Sequence, residues 1–205
     1  MDAIGSKHLL GLAGGSSENA KVARDLLVRL REQDMDMNIP RLWVIDGSRA
    51  LRCAIGEVCS DSTRVQRCRI HKIRNVVDRL PKERRDQVRW LMSSAFKLDN
   101  AQRGRDKLKA LARDLNSQYP DVAASVLEGI GEMFTITELG ITGDLARTLA
   151  TTNLIKSLNS VVRRVSGRMT RYKDACMAMR CTVMGFPWRV RNLSAVSTAM
   201  RRSRR

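Results

Sequence analysis

The chain has 205 residues, of which 43% are hydrophobic, 29% charged and only 4% aromatic, and its formal net charge is +17. That length and apolar content can bury a core, which excludes disorder throughout, and no apolar run approaches the roughly 20 residues of a membrane-spanning helix. The basic excess points to a polyanion, nucleic acid before anionic lipid, and the scarcity of rings speaks against a single-strand binder built on stacked aromatics.

Residues 8–12 (HLLGL) read as a short strand and Gly14-Gly15 as a turn. Ser16 or Ser17 can then cap a helix whose stripe is Val22, Leu26, Leu27 and Leu30, ending between Asp34 and Pro40. Residues 41–46 (RLWVID) form a brief apolar run that stops at an acid followed by glycine, the pattern of a buried strand delivering a carboxylate to a sheet edge. Ser48 can cap a helix over 49–59, residues 65–70 are a second strand, and 71–80 look helical up to Pro81. Strand, helix, strand, helix implies parallel pairing.

The composition changes at Pro81. Apolar residues recur at helical intervals over 84–96, 101–118 and 121–133, so residues 81–150 are expected to be an all-helical insertion. After the capping sequence Thr151-Thr152-Asn153, one helix carries the stripe Leu154, Ile155, Leu158, Val162 and Val165, and another spans 171–185 before Pro187. The resulting division is 1–80, 81–150, 151–187 and a basic tail over 188–205.

Charge is distributed unevenly. From Lys156 to Arg205 there are thirteen Lys and Arg against one acid, Asp174, whereas the first 155 residues carry 25 basic and 20 acidic side chains. Arg163, Arg164, Arg168, Arg171 and Lys173 are therefore the candidate DNA contacts, with a merely solvated arginine tail as the plainer reading. Five cysteines, an odd number, and an N-terminus without secretory pattern suggest reduced, buried thiols in a cytoplasmic, nucleoid-associated protein with no membrane partner.

Three positions could carry chemistry. Asp46, at a strand end, suits Mg²⁺ as a hard oxygen ligand, or else simply starts the turn into the next helix with Gly47. Cys68 and His71 have the spacing of half a zinc site, though His8 is the one other histidine; the alternative is a core thiol beside a polar imidazole. No G-x-S-x-G or comparable signature supports a nucleophilic triad.

The block VIDGSRALRCAIGEVCSDSTRVQRCRIHKIRNVVDRLPKE, Val44 to Glu83, resembles the region of Mutator-type transposases of bacterial insertion sequences that holds their second catalytic aspartate and C-x-x-H signature. KHLLGLAGGSSENAKV upstream and TTNLIKSLNSVVRRVSGRMTRYKDACMAMR downstream resemble adjoining family segments in the same order. The resemblance implies an α/β, helix-rich chain with a ribonuclease H-like sheet interrupted by a large helical insertion. It also implies DNA cleavage and strand transfer at insertion-sequence ends and target DNA, by Asp, Asp and Glu holding Mg²⁺ or Mn²⁺. Asp46 corresponds to the second acid, and Cys68 and His71 to the C-x-x-H pair.

Two departures follow from the same comparison. Where the family has a segment resembling TNLIES, this chain has TNLIKS, so Lys156 stands at the glutamate position, and an ammonium has no lone pair for a metal. The first acid is expected on a strand upstream of the first matched segment, so the sheet should be partial, with its first strands and first acid missing. The expected function is thus that of a transposase-family protein without productive metal binding. The alternative is a noncatalytic DNA-binding remnant, or an inhibitor that co-assembles with intact transposase subunits. Lys156 reads either as decay or as a phosphate contact on the basic face.

Overall fold

The side chain of Asn19 opens the first element by accepting the Val22 amide at 2.8 Å, and α1 (Ala20–Glu32) follows. The structure is a computed structural model that describes residues 8, 10–13, 19–152, 160, 174, 177 and 180. Asn19 replaces the expected Ser16 or Ser17 as cap, because it is the polar residue directly ahead of the first helical turn. The described residues of 8–12 form no strand, contrary to expectation: a strand exists only where a ladder partner pairs with it, and Gly11 instead lies against Leu26 and Leu30 of α1.

The next elements are β1 (Leu42–Ile45), α2 (Arg49–Val58), β2 (Arg64–Arg67) and α3 (Arg69–Val77). β1 and β2 pair in parallel, Val44 opposite Gln66 and Ile45 opposite Arg67, with α2 as the crossover that parallel neighbours require. The α/β class and parallel pairing thus hold, in a small sheet within a helix-rich chain. The second strand stops at Arg67 rather than at 70, because Cys68 turns the chain into α3 as its N-cap.

From Lys82 to Leu149 the regular elements are α4 (Lys82–Phe96), α5 (Ala101–Asn116), α6 (Pro120–Leu127), a 3₁₀ turn (Gly131–Met133), α7 (Thr135–Glu138) and α8 (Gly143–Leu149). Asn100 caps α5 through the Arg103 amide, and Pro120 starts α6 at the position where its missing N–H costs nothing. The helix expected over 121–133 ends six residues early, since Glu128 leaves helical geometry and Gly129 takes a φ of +66°.

The described residues fall into two compact units. One comprises those of Met1–Asp36, Cys53–Val58 and Ile155–Arg205; the other comprises Met37–Arg52 and those of Cys59–Leu154. In the first, Leu27 and Leu30 are buried on α1 and Ala54 and Ile55 on α2. In the second, the core is built by Val76, Val77 and Leu80 with Val88, Met92, Ala95 and Phe96, Leu108, Leu111 and Leu115, Val122 and Val126, and Met133 and Phe134. Gly104 of α5 lets that core close: a Cβ there would sit 2.3 Å from the Phe134 ring.

Polar contacts fasten this helical layer to the sheet. Gln66 is wholly buried; its amide nitrogen donates to the carbonyls of Arg67 and Met133 at 2.7 and 3.0 Å, and its oxygen accepts the Ile136 amide at 3.1 Å. Thr135 donates its hydroxyl to the Val65 carbonyl at 2.6 Å. Each buried polar atom here has a partner, which is what makes a polar strand residue tolerable in a core. No described helix is long and apolar enough to cross a membrane.

Candidate functional site

The end of β1 is a turn built from three consecutive residues. Asp46 is exposed, and its Oδ1 accepts the Ser48 amide at 3.2 Å; Gly47 between them takes a φ of +107° that side chains rarely adopt. Ser48, as the sequence predicts, caps α2: its Oγ accepts the Leu51 amide at 3.2 Å. Asp46 therefore both starts the turn and presents a solvated carboxylate at the strand end. The two roles weighed from sequence are compatible in one residue.

Cys68 and His71 lie one helical turn apart at the start of α3, and both face Thr152. The Thr152 amide lies 3.4 Å and its hydroxyl 3.5 Å from Cys68 Sγ, while the same hydroxyl lies 3.1 Å from His71 Nδ1. Cys68 in turn donates its own amide to the Ile45 carbonyl at 2.7 Å, next to Asp46, and the Arg69 amide is bonded to the Ala150 carbonyl at 3.0 Å. The C-x-x-H pair thus binds a distant stretch of chain to the strand end.

A charged network that sequence reasoning missed lies in the same unit. Glu132 joins Arg52 and Arg67; Glu128 joins Arg49 at 3.1 Å and Lys72 at 3.6 Å. Burial pushes the Glu132 carboxyl up, but hydrogen bonds and charge from Arg52 and Arg67 together outweigh it and hold the group below the usual carboxylate range. Glu128 shows the same balance, with Arg49, Lys72 and Arg67 outweighing its partial burial. Burial pulls the Lys72 ammonium below its usual value, against the opposing pull of Glu128. The local signal was weak, since Glu128 and Glu132 lie more than 60 positions from Arg67.

Arg69 is held differently. It donates to the carbonyls of Met133 and Phe96 and to the Thr137 hydroxyl at 2.9 to 3.0 Å, with its guanidinium 5.3 and 5.6 Å from the centres of the Phe96 and Phe134 rings. Burial pushes its pKa down to about 10, so it remains a cation at neutral pH. Its neutral hydrogen-bond acceptors and aromatic faces accommodate the charge without a carboxylate partner in these contacts.

For a metal, the described residues offer one exposed carboxylate at the strand end and no group of three or more His, Cys, Asp or Glu side chains able to hold an ion. They do not fit a paired divalent-metal centre, and Cys68 with His71 does not amount to a zinc site among them. Of the thiols described, Cys68 is buried as expected, but Cys59 is only half-buried and Cys53 exposed; Cys176 and Cys181 lie outside the described residues. So do Gly14-Gly15, Lys156, the candidate DNA contacts Arg163, Arg164, Arg168, Arg171 and Lys173, and most of the two helices expected after 153.

A family model described as "Transposase, Mutator family" matches residues 1–184. The chain is similar to the transposase for insertion sequence element IST2 of Acidithiobacillus ferrooxidans, 25% identical over 90% of this chain and 60% of that protein. It is also similar to the transposase for ISRM5 of Rhizobium meliloti, 30% identical over 80% of this chain and 40% of the relative. A third relative is the transposase for IS256 in transposon Tn4001 of Staphylococcus aureus, 26% identical over 78% of this chain and 40% of that protein. The chain spans 40 to 60% of the length of these curated relatives.

Proposed function

The chain belongs to the Mutator family of transposases, and from that membership we propose that it binds insertion-sequence DNA through its basic C-terminal quarter without cutting or joining it. The observation that carries this reading is the pair of residues at two family acid positions. Asp46 stands exposed at the end of a parallel strand, as a metal-binding aspartate of a ribonuclease H-like sheet would, whereas Lys156 stands where the resemblance places a glutamate.

Phosphoryl transfer of this class needs several oxygen ligands converging on divalent ions, which polarise the phosphate and activate the attacking oxygen. Lysine supplies donors alone; at neutral pH it repels a cation and attracts a phosphate. Substituting Lys for Glu changes the local charge by two in favour of DNA and against Mg²⁺ or Mn²⁺. The run Lys156, Arg163, Arg164, Arg168, Arg171 and Lys173, within a stretch whose single acid is Asp174, supports a polyanion partner.

Two assays on the full chain test the reading. Duplex binding should weaken steeply with salt, and neutralising Arg163, Arg164, Arg168 and Arg171 should reduce the slope by roughly 0.9 per lost phosphate contact. A strand-transfer assay with Mg²⁺ or Mn²⁺ should give no product. Absence of binding at low salt overturns the DNA partner, and product that disappears in Asp46→Ala overturns the claim of inactivity.

A further inference from the structure

We propose that Cys68 and His71 are positioning residues whose task is to latch Thr152, and with it the stretch 150–152, beside the strand end that carries Asp46. The proposal deepens the reading of the strand end given above, but it stands on hydrogen bonds that do not depend on what occupies position 156.

The residue types are what make the arrangement specific. An N-cap residue ordinarily spends its side chain on the helix's own free amides, for which Ser, Thr, Asp or Asn serve best. Cys68, 1% exposed, is the N-cap of α3 yet makes no such bond; its sulfur faces the amide and hydroxyl of Thr152 instead. One of the freed α3 amides, that of Arg69, is satisfied by the Ala150 carbonyl, so the same stretch of chain caps the helix from outside. His71, three residues on, is one turn further along the same helix face and meets the Thr152 hydroxyl through Nδ1. The cap residue's own amide holds Ile45, the residue before Asp46.

Three segments far apart in sequence therefore share one buried polar cluster: the end of β1, the start of α3, and residues 150–152. Thr152 is 5% exposed and its hydroxyl has two partners within reach, a thiol and an imidazole. A buried hydroxyl satisfied in this way resists displacement, because opening the cluster leaves polar groups without partners in a dry environment. The C-x-x-H spacing puts both side chains on one face of α3, where both meet Thr152.

The test is amide hydrogen exchange of the full chain, read over peptides covering 150–153 and, for comparison, α5. Thr152→Val removes the hydroxyl and keeps the shape; it should speed exchange over 150–153 roughly tenfold, the loss of one ordinary hydrogen bond, while α5 is unchanged. Thr152→Ser restores the hydroxyl and should return the rate to within about twofold of the native protein. Equal rates for native and Val proteins overturn the proposal, as does a Ser variant as fast as Val, or an α5 that loosens by the same factor. Should the Val variant fail to fold, ¹⁵N imidazole spectra of the native chain decide: a hydrogen-bonded His71 Nδ1 is expected, and a free Nδ1, or one zinc per chain whose chelation shifts the His71 signals, refutes the latch. Loss of duplex binding would sink the DNA reading and leave these outcomes untouched.

Discussion

Glu132 and Arg67 meet at 2.8 Å across 65 positions of sequence, and through the same carboxylate Arg67 is linked to Arg52. Arg67 is in register with Ile45 on the neighbouring strand, so this ion pair fixes the loop after α6 to the sheet edge beside Asp46.

The pair predicts how the protein answers acid. The Glu132 carboxyl is held below its unfolded value of about 4.5, so its contribution to stability is complete above that pH and is lost as pH falls through the lower folded value. Glu132→Gln should cost about 1–2 kcal/mol at pH 7 and flatten the acid limb of the stability curve. Urea melts at pH 7 and at pH 3 measure both, and an unchanged slope between them would show that Glu132 is not the acid-sensitive group.

Much of this layout is written locally. The Asp46-Gly47-Ser48 turn and the Ser48 cap follow from short-range chemistry, and both are found where the sequence places them. The parallel pairing follows from strand, helix, strand order. What local pattern cannot express is partnership at long range: Gln66 in a strand reads as a solvent-facing residue until Met133 and Ile136 arrive to satisfy it, and nothing near Cys68 and His71 in sequence points to Thr152, which meets both. The strand expected at 8–12 fails for the same reason, because apolar content alone does not provide a pairing neighbour.

Gln66 gives a second prediction. Replacing it with Leu keeps the volume but leaves the Ile136 amide without its partner in the core and takes from the Met133 carbonyl one of its two donors, the other being Arg69. The expected loss is about 2–4 kcal/mol, more than a surface Gln would ever cost. Chemical denaturation measures it; a loss below about 0.5 kcal/mol, the scale of an ordinary surface substitution, would mean that those groups find other partners.

Gly104 gives a third. A methyl group at this position meets the Phe134 ring at 2.3 Å and the Ala95 carbonyl at 3.0 Å, inside a core where neither neighbour is the free end of a flexible chain. Although alanine is the better helix former by about 1 kcal/mol, overpacking costs about 1–3 kcal/mol, and here the clash should win. Gly104→Ala is expected to lower the melting temperature, whereas Phe134→Leu combined with it should recover part of the loss by vacating the ring's edge.

Asp46 separates the turn from the metal. Asn retains a side-chain oxygen for the Ser48 amide and Ala does not, so Asp46→Asn should stay within about 0.5 kcal/mol of the native protein while Asp46→Ala loses about 1 kcal/mol. A ligand role predicts the opposite grouping, since Asn and Ala both lack the charge that holds a divalent ion. If the strand end is an incomplete centre, as proposed, thermal melts with and without Mn²⁺ should coincide for all three proteins, because a ligand stabilises only in proportion to its binding at the concentration used. A Mn²⁺-dependent rise in melting temperature seen in the native chain and absent from Asp46→Asn would mean that the carboxylate has metal-binding companions after all, and the proposal of a DNA-binding chain without catalysis would then fail.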